Sequence, residues 1–130
     1  MTIFGAIGVA GTGLTVYRKW IDAISDNLAN VNTVRRTSED AFQTRYVVAK
    51  PMPGGGTQVA GIALGSAEGR LVYEPGHPLA DAEGYVRYPD IDMASQMTQL
   101  IMAQRGYQAN AAVVDRAREA YQAALQIGRS

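Results

Sequence analysis

The chain contains no cysteine, which excludes disulfides, thiolate metal sites and a thiol nucleophile. It has one histidine, His77, so histidine-pair metal sites and a conventional Ser-His-Asp triad are poor prospects. It has no excess of either charge: 12 Lys and Arg stand against 12 Asp and Glu in 130 residues. A neutral chain lacks the basic face that nucleic-acid binding or a polybasic membrane anchor needs. Charge is also scarce overall, at 18% of residues, less than a free surface usually carries. Part of this surface is therefore expected to be covered. Long apolar runs are missing as well. Residues 1–17 are uncharged, but Gly5, Gly8, Gly11 and Gly13 dilute them, and the stretch is short for a membrane span. Arg18 and Lys19 follow it, the reverse of a secretory signal, whose positive charges come first. The expectation is no cleaved signal peptide and no direct membrane insertion. The length fits one domain, or one domain with a small insert.

What is present is a heptad pattern at each end. Ile7, Leu14, Ile21 and Leu28 recur every seven residues, and Ile3, Ala10, Tyr17, Ile24 and Val31 form a second column offset by three. Such a pattern marks a helix packed along another helix. Arg18, Lys19, Asp22 and Asp26 share one narrow arc on the opposite side. The glycines each cost up to about 1 kcal/mol against alanine, so the helix is expected to be firm from Gly13 and frayed before it. Asn27, Asn30 and Asn32 predict its end near residues 30–33, because asparagine tolerates left-handed backbone and its amide satisfies free backbone groups.

At the other end, Met93, Leu100, Tyr107, Val114 and Tyr121 recur every seven residues, flanked by Met97, Ala111 and Leu125. A helix over 90–127 is predicted, capped by Asp90 or Asp92 and stopped at Gly128. Between residues 93 and 114 only Arg105 is charged. Neutral amides around an apolar column suggest neighbours on more than one side, since interface centres are depleted of charge.

The middle reads as strand and turn. Strands are expected over 42–49, 57–64, 70–73 and 85–88, with Pro51, Pro53 and Gly54-Gly55-Gly56 breaking the first. Pro75-Gly76 suits the centre of a type II turn, and Asp81-Ala82-Glu83-Gly84 forms another turn. The fold class is therefore α+β. Two long terminal helices, in 1–33 and 90–130, pack as a coiled-coil-like pair, and a small β-rich insert, 34–89, lies between them.

No constellation stands out as chemistry. Gly8-Val9-Ala10-Gly11-Thr12-Gly13 lacks the GxGxxG order and the preceding strand of a dinucleotide loop. Gly54-Gly55-Gly56 lacks the following Lys-Ser/Thr of a P-loop and reads as a hairpin tip. His77 with Glu74 and Asp81 evokes an acid–base or metal cluster, but a His inside Pro-Gly-His-Pro is ordinarily an exposed turn residue. Asp22 and Asp26 are one turn apart, and so is Arg18, which reads as a solvated charge stripe. Tyr73, Tyr85 and Tyr88 suit covering the helix pair. No catalytic residue, metal or cofactor is expected.

Three stretches carry a resemblance. Ser25-Asp26-Asn27-Leu28-Ala29-Asn30-Val31-Asn32-Thr33 resembles the Ser-x-Asn-Leu-Ala-Asn-x-x-Thr signature of flagellar rod and hook proteins. Arg105-Gly106-Tyr107-Gln108-Ala109-Asn110 is similar to that family's C-terminal motif. The run from Leu71-Val72-Tyr73-Glu74-Pro75-Gly76 through His77-Pro78-Leu79-Ala80-Asp81 to Gly84-Tyr85-Val86 is similar to its short proximal-rod members. Val34-Arg35-Arg36-Thr37 is not a hallmark of the family, and residues 50–67 match nothing firm in it. The resemblance implies a structural subunit that polymerises through its terminal helices into the rod, the drive shaft from rotor to hook. It implies copies of itself, other rod proteins and the flagellar type III export apparatus as partners, and the basal body in the cell envelope as location. Asn27, Leu28, Asn30, Asn32, Thr33, Tyr107, Gln108, Ala109 and Asn110 match its motifs and are expected to serve assembly. The apolar positions Ile7, Leu14, Ile21, Met93, Met97, Leu100, Val114, Tyr121 and Leu125 join them from the heptads. The competing expectation is a non-polymerising coiled-coil adaptor of the export and assembly machinery.

Overall fold

The structure is a computed structural model and describes residues 2–129; Met1 and Ser130, at the outer ends of the expected helical segments, lie outside the described residues. The order is α1 (Ile3–Ala29), β1 (Arg45–Pro51), β2 (Thr57–Leu64), β3 (Arg70–Tyr73), β4 (Tyr85–Tyr88) and α2 (Met93–Arg129). This is the expected α+β arrangement of two long helices around short antiparallel strands. Among the described residues, no helix is long and apolar enough to cross a membrane.

The α1 helix is regular from Ile3, including the glycine-rich stretch where a frayed start was expected. Thr2 caps it: its hydroxyl accepts from the Gly5 N–H at 2.9 Å, and its carbonyl from the Ala6 N–H at 2.9 Å. These bonds satisfy donors that a helix start otherwise leaves free. The helix ends as predicted at Asn30, by the second of the two expected devices. Asn30 has φ −107° rather than left-handed backbone, and its Nδ2 donates to the Asp26 carbonyl at 2.8 Å.

Helix α2 starts at Met93 rather than at residue 90. Asp92 is its cap, with Oδ1 accepting from the Ala94 N–H at 3.1 Å and its carbonyl from the Gln96 N–H at 3.0 Å. The far end also differs from expectation, since the helix passes through Gly128 to Arg129. At 1.5 Å per residue, α1 is about 40 Å long and α2 about 55 Å.

The strands form two separate hairpins. In the first, β1 pairs antiparallel with β2 from Arg45 opposite Leu64 to Pro51 opposite Thr57, with a bulge between Val48 and Ala49. The strand begins at Arg45, not at residue 42, because Ala41 and Thr44 are buried and committed elsewhere. The Ala41 N–H donates to the Ala67 carbonyl, and the Thr44 hydroxyl to the Asp90 carbonyl. Pro51 ends the strand instead of preventing it, a position where its missing N–H costs nothing to the ladder.

In the second hairpin β3 pairs with β4, and Arg35 adds a bridge to Arg87. The Glu74–His77 turn closes with His77 N–H donating to the Glu74 carbonyl at 3.0 Å. Gly76 is not at positive φ, so the turn is not the expected type II. Positive φ falls instead on Gly84, at 88°. A Cβ there would stand 2.8 Å from the Tyr73 ring.

Candidate assembly interface

The two helices run antiparallel. Asn27 meets Gln96, Tyr17 faces Gly106, Gly13 faces Asn110, and Phe4 meets Tyr121 edge-on at 5.1 Å between ring centroids. The α2 side of this seam adds a second column to the one the apolar heptad predicted. The fully buried α2 residues are Gln96 and Ala103, and their seven-residue column continues to Asn110 and Ala117, both half-buried. Leu100, Tyr107 and Val114 flank that column half-buried, while Met93, Tyr121 and Leu125 are exposed. The column of small and amide residues lets the backbones come close. A Cβ on Gly13 would lie 2.7 Å from Asn110 Oδ1, and one on Gly106 would collide with the Tyr17 ring.

The predicted assembly residues separate into three groups. Asn27, Asn30, Thr33 and Asn110 use their polar groups inside the subunit. Asn30 Oδ1 accepts from the Thr33 hydroxyl at 3.1 Å, and Asn110 Nδ2 donates to the Gly106 carbonyl at 2.9 Å. Ile7, Leu14, Ile21 and Leu28 line α1 half-buried, as Leu100, Tyr107 and Val114 do on α2. Asn32, Met93, Met97, Gln108 and Leu125 are exposed, and so is Tyr121 although its ring packs on Phe4.

Asn27 is the most enclosed of them, at 1% exposure. Its Nδ2 donates to the Arg45 carbonyl at 2.9 Å and to Gln96 Oε1 at 3.0 Å, and its Oδ1 accepts from the Arg45 N–H at 2.8 Å. The side-chain amide thus pairs with the start of β1 as a neighbouring strand would. Beside it, the Arg45 guanidinium reaches Asp26 at 2.6 Å.

Most of the large apolar side chains that the buried core lacks lie at the surface. Among the described residues the buried hydrophobics are Ala10, Ala23, Ile24, Ala41, Val86 and Ala103, four of them alanine. Exposed large hydrophobics number 17 among the same residues. On α2 they include Met93, Met97, Ile101, Met102, Val113, Leu125 and Ile127, with Ile101 and Leu125 each 50% exposed. Sequence reasoning missed Ile101, Met102, Val113 and Ile127 because they fall off the heptad column; for Ile101 the spacing of four from Met93 through Met97 was the available signal. Past Tyr121, every described residue of α2 is exposed.

Comparison with known proteins gives this surface a setting. Residues 82–127 match the family described as "Flagellar basal body rod FlgEFG protein C-terminal". The chain is 34% identical to the flagellar basal-body rod protein FlgC of Escherichia coli O6:H1, over 99% of this chain and 100% of that protein. The chain belongs to the flagellar basal-body rod protein FlgC family. The FlgC proteins of Borreliella burgdorferi, at 32% identity over 98% of both chains, and of Bacillus subtilis, at 29% over 99% of this chain and all of theirs, show similar full-length matches. Membership in the FlgC family places this chain among structural components of the basal body.

The titratable residues singled out in the sequence do ordinary structural work. His77 is half-buried, and its Nδ1 accepts from the Leu79 N–H at 3.0 Å. Asp81 Oδ1 accepts from the Tyr85 and Glu83 N–H groups, and Oδ2 from the Thr37 hydroxyl. Chiefly the Tyr85 bond, helped by those from Thr37 and Glu83, holds the carboxyl below the ordinary aspartate value against partial desolvation. The Tyr88 hydroxyl donates to Glu74 Oε1 at 2.9 Å. That bond, with desolvation and the Glu74 charge, raises the phenol above its ordinary value, while Arg70 over the ring opposes it. Among the described residues no group of three or more His, Cys, Asp or Glu is placed to hold a metal ion.

Proposed function

We propose that this chain is a structural subunit of the bacterial flagellar basal-body rod, built into it by packing its helices against copies of itself and other rod proteins. The observation that carries this reading is the inversion of apolar surface. Among the described residues six buried hydrophobics, four of them alanine, stand against 17 large ones that are 37–76% exposed, and fully burying such a side chain is worth at most about 1.5–3 kcal/mol. Patches of that kind mark association surfaces. A repeated head-to-tail contact that does not close generates a helical filament, which is the shape a rod requires. In this reading the paired helices of residues 1–33 and 90–130 form the tube wall and residues 34–89 pack outside it. The chain reaches the basal body through the flagellar export apparatus without a cleaved signal, and it acts by transmitting torque, with no catalytic step and no cofactor.

The test uses residues whose substitution leaves the free subunit intact. Met97→Asp and Ile101→Asp change exposed side chains, so each should alter subunit stability by less than about 0.5 kcal/mol. Together they should abolish rod assembly and swimming in cells that carry only this variant. Normal swimming would refute the reading.

A further inference from the structure

The Asn27 amide sits at the meeting point of three elements. It bonds both backbone groups of Arg45 at the root of β1 and the side chain of Gln96 in the first turn of α2. Two further ties close the same junction: the Gly65 N–H, just past β2, donates to the Thr44 carbonyl, and the Thr44 hydroxyl donates to the Asp90 carbonyl. At the tip of the β1–β2 hairpin the Thr57 N–H donates to the Thr12 hydroxyl at 3.1 Å. Between root and tip the hairpin and helix leave an apolar hollow of about 340 Å³, bounded by Val16, Tyr17 and Trp20 on one side and Val47, Ala49 and Thr57 on the other. Packing between hairpin and helix is therefore incomplete along this stretch, and the root bonds add to it in placing the hairpin.

We infer that Asn27 is a positioning residue for assembly. It acts from inside the subunit, setting the β1–β2 hairpin and the α1–α2 register relative to each other, and it touches no neighbouring subunit. This rests on the rod-subunit reading, because a lattice repeats only if every subunit presents helices and hairpin at one angle. An asparagine is suited to the task because one planar amide supplies two donors and an acceptor, here aimed at two elements at once. An isolated two-stranded hairpin is marginal in water, so an unanchored root would leave a spread of hairpin orientations.

The test reads the free, full-length chain and the cell separately. Asn27→Ala should speed hydrogen exchange of the Arg45 amide at least tenfold in the purified chain, leave mid-α1 amides within threefold of their original rates, and abolish swimming. Faster Arg45 exchange with normal swimming would overturn the inference. So would lost swimming with unchanged Arg45 exchange, which would make Asn27 a contact to a neighbour. If Asn27→Ala does not fold, Gln96→Met decides in the same assays: it removes one of the three bonds and should speed Arg45 exchange about threefold and slow swimming, and no change in either would overturn the inference. The rod reading itself fails on a different result, normal swimming of the Met97→Asp, Ile101→Asp variant.

Discussion

A single chemical change, glycine to alanine, should change stability in opposite directions at different points of the helix pair. In a helix interior the added methyl gains about 1 kcal/mol, by removing the excess freedom of glycine in the unfolded chain. At Gly8 and Gly11 a Cβ would meet nothing within 4 Å, so the gain should appear nearly whole. For a chain of this length that raises the melting temperature by about 4 °C. At Gly106 the same Cβ would run into the Tyr17 ring. Overpacking costs about 1–3 kcal/mol, which outweighs the gain and leaves a net loss of up to about 2 kcal/mol, or a fall of as much as about 8 °C. Gly13 lies between these cases. Its Cβ would press on Asn110, and swinging that side chain away breaks the bond from Asn110 Nδ2 to the Gly106 carbonyl, at about 1 kcal/mol. Gly13→Ala should therefore be near neutral or mildly destabilising. Thermal unfolding followed by circular dichroism at the helix band measures all four. A double variant isolates the cause: with Tyr17→Ala already present, Gly106→Ala should become stabilising. If Gly106→Ala stabilises the otherwise unchanged chain as much as Gly8→Ala does, the helices do not approach closely at that level, and the account of the seam is wrong.

Two titrations follow from the second hairpin. The Asp81 carboxyl is held below the ordinary aspartate value of 3.8, so its contribution to stability is complete above that value and is lost as pH falls through the folded value. The carboxyl resonance of Asp81 should titrate below those of unconstrained aspartates, and Asp81→Ala should speed exchange of the Tyr85 amide; an ordinary titration would remove the claim. The Tyr88 phenol is raised above 10.0, so its contribution is present below that pH and lost as pH rises through the folded value. Glu74→Gln should bring the ultraviolet-monitored Tyr88 ionisation down toward 10.0, and an unmoved midpoint would show that Glu74 is not its cause.

How far the sequence carried the structure depended on which force set each feature. The α1 heptads are read correctly because Ala10 and Ile24 are buried on one column, the periodicity that burial against a second helix imposes. The same logic found half of the α2 face that meets α1: in its apolar column Tyr121 meets Phe4 and Leu100, Tyr107 and Val114 are half-buried, but the fully buried positions, Gln96 and Ala103, lie on the adjoining column. Hydrophobicity marks a seam only where apolar volume fills it. Where close backbone approach and a buried amide pair do the packing, small and polar residues take those positions. The start of β1 was misplaced because propensity sees Phe42 and Thr44 as strand formers, while the Asn27 side chain pairs with Arg45, a long-range bond with no local trace. The Gly76 turn failed for a related reason: Gly84, pressed against Tyr73 and Pro75, is the glycine the hairpin needs at positive φ. The family signature did locate Asn27, Asn30, Thr33 and Asn110, but a motif does not say whether a side chain faces a neighbour or its own subunit.

The central claim is that the exposed apolar face of α2 is covered in the assembled rod. The chain has no cysteine, so a single Ile101→Cys or Leu125→Cys gives one reporter thiol. Maleimide labelling of that thiol is compared in the free chain, in intact purified basal bodies and in the same basal bodies after denaturation. The account predicts fast labelling in the free and denatured samples and at least tenfold slower labelling in intact basal bodies. Equal labelling of free chain and intact basal bodies would contradict it.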